Sequence, residues 1–250
     1  MKKAVNSEYG FMEGFVSALP AGLFEYSGTT LFDGRNCVKL FTEGGIRVAV
    51  KRFKKPNMFN RVAYTFFRGG KAERAYDHAA KLLEMGVNTP RPIGYVNVNA
   101  GGLLKSSYLV TEFTDYAPIA ELVNGGAEGR RELMEAFVSF TVSLHMKGVR
   151  HDDYNLFNVL YKELPDGKYD FMLIDINRMR FGQMGKLDCV SNIKRICANP
   201  DFMYDFTKIY SRLRGWDIYK LLARTAISRS IFERRRSIRN EIKRRAFAKA

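Results

Sequence analysis

Apolar β-branched residues dominate IRVAVKRF, Ile46 to Phe53, a run bounded by Gly44-Gly45 that predicts a strand. A helical pattern follows. In KAERAYDHAAKLLEMG, Lys71 to Gly86, the residues Ala75, Ala79, Leu82 and Leu83 recur at helical steps, and Gly86 supplies a stop. Two prolines in TPRPIGYV turn the chain into an extended segment, and SSYLVTEF, Ser106 to Phe113, predicts another strand ending at the polar joint TDYAP. RELMEAFVSFTVSLHMKG, Arg131 to Gly148, keeps Leu133, Ala136, Phe137, Phe140 and Leu144 on one face and predicts a long helix closed by Gly148. FNVLYKE and YDFMLIDI flank LPDGK, the pattern of a hairpin. From there to Ala250 the pattern is mostly helical, with no internal repeat and no low-complexity linker.

Composition narrows the class. Hydrophobic residues make up 46% of the 250 and aromatics 13%, which supports a core and argues against global disorder. No apolar run reaches the roughly 18 residues of a membrane span, and the basic start MKKAVNSEYGFMEGF lacks the apolar stretch of a signal peptide. Cys37, Cys189 and Cys197 form no CxxC pair and leave an odd count, which argues against a disulfide framework and for a reducing cytosol. With three scattered histidines they give no zinc-ligand spacing. The net charge of +15 points to an anionic partner: nucleic acid, nucleotide, phospholipid or an acidic glycolipid. Ten Lys and Arg between Arg224 and Lys249 face only Glu233 and Glu241, +8 of that total. Ile227, Ile231, Ile238 and Ile242 recur there at four- and seven-residue steps, as in an amphipathic basic helix. A plainer reading packs those isoleucines on the rest of the protein. KRFKKPN, with Arg61 and Arg68, forms a second basic cluster.

HDDYNLFNVLY, His151 to Tyr161, places two aspartates and two asparagines inside eight residues, just before apolar strand-like residues. A polar turn would explain this, and so would a site for metal and phosphate. Taken singly, Lys51 closing VAVK reads as a solvated lysine and Asp175 closing FMLID as a turn cap. Their order says more: a strand lysine, a helix with acids, a strand and joint, a long helix, a histidine-led polar loop, then a hairpin ending in aspartate. That order resembles the protein-kinase-like fold, whose catalytic loop reads His-x-Asp-x-x-x-x-Asn. His151, Asp153 and Asn158 match it at every spacing.

HDDYNLFNVLY and LIDINRMR together look like the bacterial lipopolysaccharide core kinases, the Kdo/heptose kinase family. Asn155, Asn158 and Arg178 fit that family's pattern, and LLEMGVNTPRPIGY and GRNCVKLF with VAVKRFKKPN are similar to its amino-terminal part. The resemblance spans roughly Asp33 to Arg180, and RIO-type atypical protein kinases share much of it. It implies an α+β fold of two lobes, a small antiparallel sheet lobe with one helix over residues 1–112 and a larger, mainly helical lobe over residues 113–250. ATP and Mg2+ are the implied cofactors. Lys51 would hold the nucleotide phosphates, with Glu73 favoured over Asp77 as its helix partner, and the backbone at Glu112, Phe113 and Thr114 would face the adenine. Asn158 and Asp175 would hold magnesium, a hard cation that prefers oxygen ligands. Asp153 would accept the proton of the attacking hydroxyl, and His151 would prop the loop.

The implied acceptor is a sugar hydroxyl, of Kdo or heptose, on the lipid A-core glycolipid. The implied place of work is cytoplasmic, peripheral at the inner face of the bacterial inner membrane, an anionic surface that suits the basic end of the chain. Two other readings compete: a RIO-like protein kinase or ATPase, whose basic surface would meet RNA, and a catalytically silent scaffold. The intact Lys51, Asp153, Asn158 and Asp175 argue against silence, and no RNA-reading motif is visible, so nucleic acid is the less favoured partner. The chain departs from the family in places. Asp152 stands where glycine is common, Asn177 replaces an acid, Gly28 and Gly34 are all that remains of a phosphate loop, and no A-P-E segment follows Asp175.

Overall fold

The computed structural model describes residues 1–54, 69–124, 131–196 and 199–247. The basic residues Lys55, Arg61 and Arg68, together with Cys197 and Lys249, lie outside the described residues. Two units divide the chain, Met1–Tyr116 with Met172–Arg178, and Ala117–Phe171 with Met179–Ala250. The sequence reading expected an uninterrupted division at 112/113. A short segment around Asp175 instead groups with the amino-terminal residues, because its backbone is tied to them: Leu173 N–H donates to Asn88 O at 3.0 Å and Thr89 Oγ1 donates to Leu173 O at 2.7 Å.

The first unit contains β1 (Lys2–Val5), two short helices α1 (Glu13–Ala18) and α2 (Leu23–Tyr26), β2 (Thr29–Asp33), β3 (Cys37–Glu43), β4 (Ile46–Phe53), α3 (Lys71–Glu84), β5 (Pro92–Ala100) and β6 (Leu103–Glu112). The six strands form one sheet in the order β1-β5-β6-β4-β3-β2, with every neighbour antiparallel. On β4, Val48 and Val50 are fully buried. Lys51 and Phe53 take the opposite face, as the two-residue period of a strand requires. The core under the Val48 face also draws Tyr9, Met12, Phe15, Val16, Leu19 and Phe24 from the first 26 residues. On α3, Ala72, Ala75, Ala79 and Leu82 face inward. Gly86 follows in the left-handed region at φ 64, where a glycine ends a helix without strain.

The second unit contains β7 (Ala117–Pro118), α4 (Glu121–Asn124), α5 (Arg131–Met146), β8 (Val149–His151), β9 (Val159–Glu163), most of β10 (Tyr169–Leu173), β11 (Met179–Phe181), α6 (Lys186–Ile193), α7 (Pro200–Arg214) and α8 (Ile218–Phe247). β9 lies between β7 and β10, and β8 pairs with β11. Phe137 of α5 is fully buried and meets Tyr154, Phe171 and Phe206 at ring distances of 6.3, 6.3 and 5.6 Å, an aromatic core around which the helices gather. Gly148 sits at φ 71, and a Cβ there would come within 2.4 Å of Gly182 O, so only glycine both ends α5 and lets β8 start beside β11. Asn199 caps α7 through Phe202 N–H at 3.0 Å, with Pro200 at the first helical position.

Helix α8 corrects the plainer reading of the basic terminus. Leu221 and Thr225 are buried and Phe232 lies under Arg195 at 4.7 Å, so the inner face is that one. Ile227, Ile231, Ile238 and Ile242 are 62, 48, 49 and 63% exposed, and do not pack on the unit. Among the described residues no helix is long and apolar enough to cross a membrane.

Candidate active site

In the first unit β4 presents Lys51 to the turn after β10. Its Nζ donates to Asp175 Oδ1 at 2.7 Å and lies 5.2 Å from the ring of Phe53. The pair is about four-fifths buried, which strengthens it over a surface ion pair and makes loss of either partner costly. Asn177 Nδ2 donates to the same Oδ1 at 2.8 Å, so the residue that replaces the family's acid serves as a donor to the aspartate. Asp175 has φ 56 and is, among the described residues, the one non-glycine in the left-handed region. Such backbone costs about 1–2 kcal/mol and persists only where surrounding contacts enforce it. Helix α3 supplies them: Arg74 Nε donates to Asn177 O at 3.3 Å, and His78 Nδ1–H donates to Ile176 O at 2.7 Å. Burial is the main force lowering the His78 pKa, and the Ile176 bond opposes it. Lys71, at the start of α3, also has a lowered pKa. Burial is the first cause and the charges of Arg35 and Arg178 follow, while Asp175 acts in the opposite sense.

Glu73 is not brought to Lys51. Its carboxylate pairs with Lys2, accepts from Gly70 N–H at 3.2 Å and accepts from Asn97 Nδ2 at 3.1 Å, so it closes the start of α3. Spacing on the helix could not distinguish these roles. Glu112 accepts the Tyr9 hydroxyl at 2.6 Å, and its N–H donates to Arg91 O at 2.9 Å. Phe113 N–H donates to Arg47 O at 3.0 Å, and its ring lies 4.8 Å from the Arg47 guanidinium. Both N–H groups at this joint are therefore committed to the sheet.

In the second unit the loop after β8 is built from its own polar residues. His151 is buried; its Nδ1 accepts Asp153 N–H at 3.0 Å. Asn155 and Asn158 each donate an amide N–H to Asp153 O, at 3.0 and 2.9 Å. Tyr154 is fully buried, and its hydroxyl shares a 2.8 Å hydrogen bond with Thr141 of α5. This arrangement fixes Asp153 between an anchored tyrosine and two amides. Asp152 turns elsewhere: Arg180 Nε donates to its Oδ2 at 2.8 Å, and Arg150 Nε lies 3.0 Å from its Oδ1. The second contact is ionic with poor hydrogen-bond geometry, since Oδ1 has no aligned donor. Arg150 also donates to Asp188 at 2.9 Å. Arg150 and Arg180 are cross-strand partners of β8 and β11, so Asp152 neutralises a repulsion the ribbon itself creates.

Each unit contributes oxygen groups of the kind a hard cation prefers. In the second unit, the Asn158 amide nitrogen is held by Asp153 O, which leaves its side-chain oxygen as the acceptor; in the first unit, Asp175 presents a carboxylate. Among the described residues no group of three acidic, histidine or cysteine side chains is placed to hold a metal. Magnesium in nucleotide sites needs only one or two protein ligands, the rest coming from phosphates and water. Sequence reading missed Arg74, His78 and Tyr154, whose one signal was a polar or aromatic residue at a core-facing helical or loop position.

The sequence model of the lipopolysaccharide kinase (Kdo/WaaP) family matches residues 49–204, a span that includes Lys51, Asp153, Asn158 and Asp175. No curated protein matches the chain significantly in sequence. Among solved structures, one described as WaaP in complex with acyl carrier protein is similar at a TM-score of 0.61 and 16% identity, over 94% of this chain and 98% of that one. The Rio2 kinase of Chaetomium thermophilum, solved as an ADP/Mg2+-phosphoaspartate complex, gives 0.49 at 17% identity, over 92% and 77%. The fold is protein-kinase-like, α+β, with an antiparallel sheet unit and a mainly helical one.

Proposed function

The chain belongs to the lipopolysaccharide kinase (Kdo/WaaP) family, a family of ATP-using phosphotransferases, and from this we propose that it phosphorylates a sugar hydroxyl, of Kdo or heptose, on the lipid A-core. The carrying observation is that the family match runs through all four chemistry-bearing positions, Lys51, Asp153, Asn158 and Asp175. Phosphoryl transfer asks for charge neutralisation and alignment more than covalent help. In this reading Lys51 would neutralise the nucleotide phosphates, and Asp175, now paired with Lys51, would offer its carboxylate to the metal. Asp175 and Asn158 would each offer an oxygen to Mg2+, which would supply further neutralisation of phosphate charge. Asp153 accepts the proton of the attacking sugar hydroxyl, and His151 shapes the loop that presents it.

Helix α8 adds a reason for a membrane-borne acceptor. The four exposed isoleucines lie along one line of the helix. The two acids of this stretch are already paired within it, Glu233 to Arg229 and Glu241 to Arg245, so most of its arginines remain for an external anion. Laid on an anionic leaflet, each arginine contributes about 1 kcal/mol and the isoleucines enter the interface. The protein would then work at the inner face of the inner membrane, where its glycolipid acceptor is anchored. Incubation with γ-labelled ATP, Mg2+ and lipid A-core glycolipid tests this: label on the glycolipid supports it, whereas label on protein only, or ATP binding without transfer, points to the RIO-like or silent alternatives.

A further inference from the structure

A chain of buried polar side chains runs from the body of the second unit to the loop that carries Asp153. Tyr210, His145, Asn192 and His151 are each 3% exposed or less. The Tyr210 hydroxyl lies 2.8 Å from His145 Nδ1, His145 Nε2 lies 3.0 Å from Asn192 Oδ1, and Asn192 Nδ2 lies 2.7 Å from His151 O.

One end of this chain sets the direction of every bond. A backbone carbonyl only accepts, so Asn192 must turn its amide N–H to His151 O and its oxygen to His145. His145 Nε2 must then carry the proton, which leaves Nδ1 as an acceptor for the Tyr210 hydroxyl. Asp153 N–H, in turn, donates to His151 Nδ1 and makes His151 the Nε2–H tautomer as well. A reversed link anywhere would set two donors or two acceptors face to face in a dry interior, at the cost of a buried unsatisfied group.

We propose that Asn192 and His145 are positioning residues for transfer: through this one-way relay, helices α5, α6 and α7 hold the His151 carbonyl, and with it the Asp153 loop, in the geometry the reaction needs. The proposal rests on Asp153 belonging to the catalytic loop. The His145 ring nitrogens bond Tyr210 and Asn192, so it acts on that loop through Asn192. Misplacement of a reacting group by about 1 Å costs on the order of a hundredfold in rate, so the relay is expected to show in turnover rather than in nucleotide affinity.

The test compares Asn192→Asp, His145→Leu and His145→Gln in the full chain, with γ-labelled ATP and lipid A-core glycolipid. Asn192→Asp keeps the shape but offers an acceptor to His151 O, and His145→Leu removes the donor to Asn192. Both are expected to lower kcat at least tenfold with KM for ATP within twofold. His145→Gln restores an N–H donor to Asn192 and is expected to keep kcat within threefold. Nitrogen-15 NMR of the wild type should report His145 as the neutral Nε2–H tautomer. Wild-type kcat in Asn192→Asp, equal loss in the Leu and Gln variants, or an Nδ1–H signature at His145 would each overturn the proposal. Asp153→Ala separates the two ideas: full transfer in that variant sinks the reading of the loop, whereas lost transfer there with normal Asn192→Asp activity sinks only the relay.

Discussion

His145 makes stability depend on pH in a calculable way. Burial is the chief cause that depresses its pKa, with the Arg214 charge adding to it and the Asn192 hydrogen bond opposing, and the result is about 4 against an ordinary 6.5. The folded state thus refuses a proton that the unfolded chain accepts. The stabilisation from a neutral His145 is complete above pH 6.5 and falls as the pH drops from there towards 4. Each pH unit in that window is worth about 1.4 kcal/mol, so roughly 2 kcal/mol is gone by about pH 5. His145→Gln keeps the donor to Asn192 and cannot titrate. Trp216 is the single tryptophan of the chain and packs on Tyr210 at 5.7 Å, so its fluorescence follows this neighbourhood during urea unfolding. Between about pH 7.5 and 5 the wild type should lose about 2 kcal/mol more than the glutamine variant. Equal losses in the two proteins would refute the reasoning.

Other outcomes follow from the same contacts. Asp175→Ala should lose magnesium-dependent nucleotide binding, measured by calorimetry with and without Mg2+, because it removes an oxygen ligand and leaves Lys51 without its carboxylate; unchanged magnesium-dependent affinity would contradict the metal assignment. Tyr9→Phe removes the 2.6 Å donor to Glu112 and should cost about 1.5–3 kcal/mol of stability in urea unfolding, as befits a bond to a charged acceptor. Replacing Ile231 and Ile238 by glutamate should weaken binding to vesicles containing anionic phospholipid at least tenfold while leaving nucleotide affinity unchanged, and undiminished vesicle binding would exclude α8 as the membrane contact.

Long periodic elements were legible in the chain. The strand Ile46–Phe53 has the bounds read from its β-branched run, and the helices Lys71–Glu84 and Arg131–Met146 each end two residues before the glycine that stops them. The first 26 residues were not legible, because α1 and α2 are six and four residues long and show no period, yet they fill much of the sheet's core. The spacing of His151, Asp153 and Asn158 is local and could be read. The Lys51–Asp175 pair joins positions 124 residues apart, and nothing local announces it. Glu73 shows the limit most plainly. A helical acid after a strand lysine reads as its partner, but Lys2 and Asn97 claim it through contacts that only the folded sheet creates. The His145–Asn192 relay likewise joins three helices by hydrogen bonds whose direction depends on a carbonyl in a fourth element.

The central claim is that the chain phosphorylates a sugar of the lipid A-core, with Asp153 accepting the hydroxyl proton. Mass spectrometry of lipid A-core glycolipid from cells with and without the gene tests it most directly. The account predicts the loss of one phosphate mass, restored by the wild type but not by Asp153→Ala, a residue whose base role is worth on the order of a hundred- to ten-thousand-fold in rate. An unchanged glycolipid in cells that express the protein, or full restoration by Asp153→Ala, would contradict it.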